Sequence, residues 1–303
     1  MKWGVALNVR EKLSETVRKA EVADQGGLEQ VWVTDFPAMK YAPAVAAAIA
    51  EKTSSCRIGV GLVSPLLYSS MHIVQFMSTL IKTYGERFDL LLGPGDQGAL
   101  SRVGVSHSVK GMTEDTIHAL EEVKLGLSEL GQRCSVFLGA QGPVMINSSL
   151  KADGVLLNYS DIEMVEWALE QIKKKTPEDF QLGVFPPTYV GDCNDIMSNT
   201  AISLSAAMVA VGLNKKASKQ FGLYDKVKDA RLQLMKKSGF DMEIAEILGS
   251  DVLRRFAFCG DAARLVGYLK ILEEKGISFT VFGPPQGIRK EGVETLVRIR
   301  KNL

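Results

Sequence analysis

Short apolar runs alternate along this chain with stretches whose apolar residues recur at three- and four-residue spacing. The runs predict strands at 2–8, 29–34, 57–61, 88–93, 134–139, 153–157, 180–185 and 277–282, since four to eight apolar residues bounded by turn residues suit a strand buried on both faces. The periodic stretches predict helices near 11–25, 43–53, 71–84, 113–130, 143–150, 161–175 and 289–301, with several more inside 195–275. Each strand is thus followed by helix. That alternation predicts a parallel α/β sheet, and eight units in 303 residues predict a closed (β/α)8 TIM barrel in a single domain spanning 1–303.

The connections are lopsided. Links entering strands are short and carry glycine for a helix C-terminus, as at Gly26-Gly27, Gly85-Glu86-Arg87 and Lys275-Gly276. Links leaving strands are longer, as at Leu62 to Ser70, Pro94 to Met112, Pro186 to Asn194 and Pro284 to Gly287. In a barrel these longer loops all rise on the face that carries the site. Residues 186–276 are too many for one crossover and predict a helical insertion between barrel strands 7 and 8, which covers the pocket or builds an oligomer surface. Within it, Ile202, Ala206, Val209 and Leu213 form a helical stripe suited to packing, with a dimer contact as the alternative. Thr113 with Glu114 and Asp115 reads as the capped start of a helix.

The sharpest transition is at Phe88 to Gly98, where FDLLL breaks into GPGDQG. Gly93, Gly95 and Gly98 match the G-x-G-x-x-G spacing of dinucleotide sites. That fingerprint needs a helix opening directly after the glycines, whereas 103–111 reads as irregular chain. The stretch is therefore read as a buried strand ending in a polar turn.

A formal net charge of +1 and 46% hydrophobic residues describe a soluble globular protein with no basic excess for nucleic acid. The longest apolar stretch, 201–213, contains Ser203 and Ser205 and is too short to span a membrane. Cys56, Cys134, Cys193 and Cys259 stand apart without C-x-x-C spacing and read as reduced thiols of a cytoplasmic protein. His72, His107 and His118 have no metal-ligand spacing, and neither a G-x-S-x-G elbow nor a Walker loop is present.

Trp32 to Asp35, Gly59 to Pro65, Gly93 to Asp96 and Leu138 to Pro143 follow the second to fifth strands in order, and Ala152 to Asn158 continues the series. This ordered set resembles the bacterial-luciferase-like barrels, most closely the coenzyme F420-dependent methylenetetrahydromethanopterin reductases, and runs nearly end to end up to Gly283-Pro284. The resemblance implies hydride transfer between the deazaflavin F420 and a pterin-like or other small substrate. It also implies a cis peptide at Gly61-Leu62 backing the deazaflavin ring, with Val63 and Ser64 beside it. Asp35, Gly93 and Gly95 would border the ring and its ribityl chain, and Ala140, Gln141 and Gly142 would form the phosphate turn. Asp96 would exchange the accompanying proton. For Asp35 the alternative is a helix cap, for Gln141 a loop hydrogen bond, and for Asp96 a turn-stabilising carboxylate. An FMN-dependent monooxygenase and a noncatalytic deazaflavin-binding paralogue are the alternative functions, and a homodimer or higher homo-oligomer is expected.

Two departures stand out. Ala6 and Phe36 occupy positions where the reductases carry glutamate and histidine, and neither can move a proton. Ala6→Glu is expected to restore part of a lost rate, provided the barrel tolerates a carboxylate there, and Gly142→Asp to weaken cofactor binding with little loss of fold.

Overall fold

Strands β1 (Lys2–Leu7), β2 (Gln30–Val33), β3 (Arg57–Val63), β4 (Phe88–Leu92), β5 (Ser135–Ala140), β6 (Gly154–Leu157) and β7 (Gln181–Val184) come first, then β8 (Thr188–Val190), β9 (Phe258–Gly260) and β10 (Phe279–Phe282). In the computed structural model β1 to β7 pair in sequence order, and β10 pairs with both β7 and β1, closing an eight-stranded parallel barrel. Every described end of these eight lies within two residues of its expected position. All residues are described except 8–9, 38, 106–107, 173–175, 194, 238 and 240. Asn8 at the end of the first expected strand, His107, the tail of the expected 161–175 helix and Asn194 thus lie outside the described residues.

The helices are α1 (Leu13–Gln25), α2 (Ala42–Ala50), α3 (Ser70–Tyr84), α4 (Gln97–Arg102), α5 (Val109–Glu129), α6 (Pro143–Ser148), α7 (Ile162–Ile172), α8 (Thr200–Val211), α9 (Lys215–Gln220), α10 (Tyr224–Lys236), α11 (Met242–Leu253), α12 (Ala262–Glu274) and α13 (Lys290–Lys301). Two sequence expectations are corrected here. A helix, α4, does open right after the glycine turn, although it runs for only six residues. Helix α5 starts at Val109, capped by Ser108, whose hydroxyl accepts the Gly111 N–H at 3.1 Å, so Thr113 lies inside the helix. Serine at 108 satisfies a first-turn donor that Thr113 would have reached one turn too late.

The barrel interior is filled by alternating large and absent side chains. Trp32, Phe137 and Phe279 point inward, with ring centroids 6.2 Å apart for the first pair and 5.2 Å for the second. Glycines face them: a Cβ on Gly154 would stand 2.8 Å from Phe137, and one on Gly59 or Gly183 would overlap the ring of Trp32 or Phe279. The aromatic plug makes this a packed core, so any ligand must bind above it, at the carboxyl ends of the strands. Asp89, the charge inside the apolar β4 run, is almost fully buried and is held by Arg57 through contacts of 2.7 and 2.9 Å.

Between β7 and β10, α8 to α11 form the expected insertion, and β8 and β9 make a parallel two-stranded ribbon that the sequence did not reveal. Helix α8 packs on α11; of the stripe, Ile202, Ala206 and Leu213, the last just past the helix end, are buried and Val209 is half-buried, which supports packing as its use. The reading of four reduced thiols is also corrected. Cys193 and Cys259, 66 residues apart, form a disulfide with a Cα separation of 5.7 Å, while Cys56 and Cys134 are free. Folding brings the two together beside the ribbon, a proximity that spacing along the chain does not encode. For that pair the argument from isolated thiols to a reducing compartment loses its premise.

Candidate active site at the barrel mouth

Strand β3 ends in an irregularity: its pairing with β4 shifts between Val60 and Val63. Gly61 adopts φ 147°, a conformation that L side chains rarely take, and a Cβ there would stand 2.7 Å from Leu91 Cβ. The expected cis peptide joins Gly61 and Leu62. The Leu62 side chain lies across two glycines: a Cβ on Gly93 would be 2.8 Å from its Cγ, and one on Gly139 would be 2.9 Å from its Cδ1. Half-buried and packed against the barrel's inner cluster with Phe185, Leu62 forms an apolar shelf directly above the aromatic plug.

The neighbouring residues hold this shelf. Ser64 is buried, donates its hydroxyl to the Pro94 carbonyl at 3.0 Å and accepts the Leu66 N–H at 3.3 Å, so it ties the β3 loop to the glycine turn. Gly95 lies against it. Val63 is fully buried in the outer core, and its carbonyl accepts the Gly93 N–H at 3.1 Å. Asp96 is exposed and caps α4, accepting the Ala99 N–H at 2.6 Å, which is the turn-stabilising role.

Asp35 stands in a cluster that sequence reasoning missed. Its carboxylate accepts the Ala42 N–H at 3.3 Å, at the start of α2, and a hydrogen bond from Tyr68. Burial raises its pKa, opposed by those two donors. Tyr68 and Tyr41 are pushed up as well, by burial first and by the Asp35 charge second. Their rings lie 5.8 Å apart. A carboxyl and two phenols are therefore shifted toward their neutral forms at the mouth, the state in which each can donate a proton. The available signal was an aromatic in a loop leaving a strand, Tyr68 within 62–70.

The two departures differ in placement. Phe36 is half-buried beside Asp35 in the chain, whereas Ala6 is 1% exposed inside the barrel with Trp32 and Leu91. A glutamate at 6 would enter apolar surroundings, so the condition on which rescue by Ala6→Glu depends, a barrel that tolerates a carboxylate there, is not met.

Ala140, Gln141 and Gly142 lie beneath the insertion. Ala140 is buried in the outer core, the Gln141 side chain donates to the Val209 carbonyl at 3.4 Å, and the Gln141 carbonyl accepts from the Tyr159 hydroxyl. Gly142 precedes α6 with no side-chain cap, and a Cβ on it would stand 2.8 Å from Asn214 Cβ. Gly142→Asp would therefore collide with Asn214, which corrects the expectation of an undisturbed fold. Asn214 itself, between α8 and α9, accepts the Lys216 N–H at 2.8 Å through Oδ1. Its Nδ2 lies 3.3 Å from the same Cβ position and provides a donor at the turn. No pattern in the sequence singles it out.

Among the described residues no three histidine, cysteine or acidic side chains are grouped to hold a metal ion. None of the described helices is long and apolar enough to cross a membrane.

Residues 2–278 match the luciferase-like monooxygenase family. The chain belongs to that family. This luciferase-like barrel is 22% identical over 321 residues to 5,10-methylenetetrahydromethanopterin reductase of Methanolobus tindarius, with 98% of each chain covered. The coenzyme F420-dependent tetrahydromethanopterin reductase of Methanopyrus kandleri shares its fold with a TM-score of 0.76 at 18% identity, covering 98% of this chain and 97% of that one. An F420-dependent secondary alcohol dehydrogenase in complex with an F420-acetone adduct gives a TM-score of 0.75 at 15% identity, again over 98% and 97% of the two chains.

Proposed function

We propose that residues 1–303 act as one domain that binds the deazaflavin F420 at the barrel mouth and transfers hydride between it and a small, pterin-like substrate. The observation that carries this reading is the end-to-end similarity, in sequence and in fold, to reductases of this type. The residues at the mouth fit such a group. Leu62, laid over Gly93 and Gly139, offers a flat apolar surface to one face of a ring. Asn214 Nδ2 and the uncapped start of α6 offer donors to a phosphate.

The deazaflavin, when bound, supplies the carbon that carries the hydride. The chain does the rest. Leu62 and Phe185 orient the ring and keep water from the face they cover. Asp35, bonded to Tyr68, holds the accompanying proton, a role for which its raised pKa suits it better than the exposed cap Asp96. Gln141 holds the Gly142 turn in place through Val209 and Tyr159.

Fluorescence titration with F420 and with FMN tests the cofactor, and turnover with methylenetetrahydromethanopterin tests the substrate. Tighter binding of F420 is expected. Tighter binding of FMN would overturn the reading in favour of a monooxygenase, and F420 binding without turnover on any pterin would favour a noncatalytic protein.

A further inference from the structure

The chain enters the helical insertion through β8 and leaves it through β9, and these strands pair over three residues, Thr188 with Phe258, Tyr189 with Cys259 and Val190 with Gly260. The Cys193–Cys259 bond lies at this neck. Helices α8 to α11 all fall between the two cysteines, so the disulfide closes the insertion into a covalent loop across 66 positions.

What hangs from the neck reaches the barrel mouth. Three residues past Cys193 a short 3-10 turn, Ile196–Ser198, begins, and the Ile196 carbonyl accepts the Ser203 hydroxyl of α8 at 2.6 Å. Helix α8 then carries Val209, whose carbonyl accepts from Gln141, and leads on to Asn214, which lies against Gly142. Helix α11 packs on both the 3-10 turn and α8, and the chain runs from its end back to Cys259. The helix that reaches the Gly142 turn and the helix that backs it therefore start from the two ends of one covalent bond.

That bond is open to attack. A cleft of about 280 Å³ lies on it, lined by both cysteines with Ser160, Phe258 and Tyr268. Cys193 is 8% exposed, and Cys259 is more open. Cys56 and Cys134 are already free, and burial pushes the Cys56 thiol up to about 12 and raises that of Cys134, so neither forms a thiolate that would replace a neck cysteine. Reduction thus changes this pair and no other cysteine.

We propose that Cys193 and Cys259 form a redox-controlled staple: the disulfide holds the insertion over the Gly142 turn, and its reduction loosens the insertion and weakens cofactor binding there. The proposal rests on the reading of that turn as the phosphate end of a deazaflavin site. A thiolate of a small dithiol attacks Cys259 Sγ, the bond to Cys193 breaks, and Cys193 leaves as a thiolate that takes a proton. The second sulfur of the dithiol then closes on the first and releases Cys259 as a thiol. The protein gains two electrons and two protons, and the dithiol loses the same to become a cyclic disulfide. A loop closed at its neck has fewer opened conformations than the same segment left free, so cutting the bond favours the opened state. What remains at the neck is a three-residue ladder, with the Gln286 side chain accepting the Val190 N–H at 2.8 Å. A ligand that needs the closed insertion binds in proportion to the fraction closed.

The test compares the unmodified protein as oxidised and after treatment with dithiothreitol, removed under argon; thiols titrated in urea should number two before and four after. Hydrogen exchange followed by mass spectrometry should speed up at least about tenfold in α8 on reduction and stay the same in the barrel strands. Fluorescence titration should show the reduced protein binding F420 about three- to tenfold more weakly. Cys193→Ser combined with Cys259→Ser should match the reduced protein and no longer respond to dithiothreitol. Four thiols before reduction, unchanged exchange in α8, or a double variant that binds as the oxidised protein does would each overturn the proposal. Failure of the oxidised protein to bind F420 would overturn the reading of the site and the proposal with it, whereas equal binding in the two states overturns the proposal alone. The oxidised and reduced forms of the unmodified protein decide the matter even if the double variant does not fold.

Discussion

Replacing Gly93 by Ala tests whether the Leu62 shelf is held by contact between strands. Gly93 lies outside the left-handed region, so alanine brings no backbone strain, and the cost must come from its methyl group standing 2.8 Å from Leu62 Cγ. Toward β5 the Leu62 Cδ1 already occupies the space that a Cβ on Gly139 would need, so the side chain is seated between the two glycines. Overpacking of this kind costs about 1–3 kcal/mol. Leu62→Ala alone removes a half-buried side chain and should cost about 2 kcal/mol, the lower end for such truncations. In the double variant the alanine methyl enters space that Leu62 has left, so the two losses should fall short of their sum by about 1–3 kcal/mol. Urea unfolding of the four proteins measures this, provided the slope m is unchanged. Under the F420 reading, Gly93→Ala should also weaken deazaflavin binding, and Leu62→Ala on top of it should recover part of the loss. Additive losses, agreeing to within about 0.5 kcal/mol, would refute the contact argument.

Asp35 has a raised folded-state pKa, so its contribution to stability is present below its unfolded value of about 3.9 and is lost as pH rises through the folded value. Asp35→Asn should therefore melt higher than wild type at pH 7, match it below about pH 4, and turn over more slowly; a lower melting temperature at pH 7 would contradict the burial argument. Asp24 behaves oppositely: burial alone would raise its pKa, but the N–H groups of Ser54, Cys56 and Ser55 together hold it below the ordinary value. Its contribution is present above about pH 4 and lost as pH falls through the lowered folded value, so Asp24→Asn should cost about 1 kcal/mol at pH 7 after solvent screening, with the gap closing in acid; a pH-independent difference would count against it. Ala6→Glu should destabilise the barrel by at least about 3 kcal/mol at pH 7 without restoring activity, and an unchanged melting temperature would show that position 6 is not enclosed by the aromatic plug.

The barrel was legible in the sequence because its determinants are local. A strand buried on both faces must be a short apolar run, and the helix that follows must show an apolar stripe, so eight such pairs could be read before any contact was known. The same locality made the turns at Gly61, Gly93 and Gly142 visible, since a loop that bends sharply at the end of a buried strand advertises itself by glycine and proline. What the residues do at the site depends on partners far along the chain. Ser64 spends its hydroxyl on Pro94, Asp35 acquires its raised pKa from burial near Tyr68, and Gly142 meets Asn214 from the insertion. The Cys193–Cys259 bond joins residues 66 positions apart. The short strands β8 and β9 each run for three residues, too few for a period to register, and they are held by each other. Periodicity records which face of an element is buried, but only the closed barrel determines what stands opposite it, because that depends on how the sheet curls and where the insertion folds back.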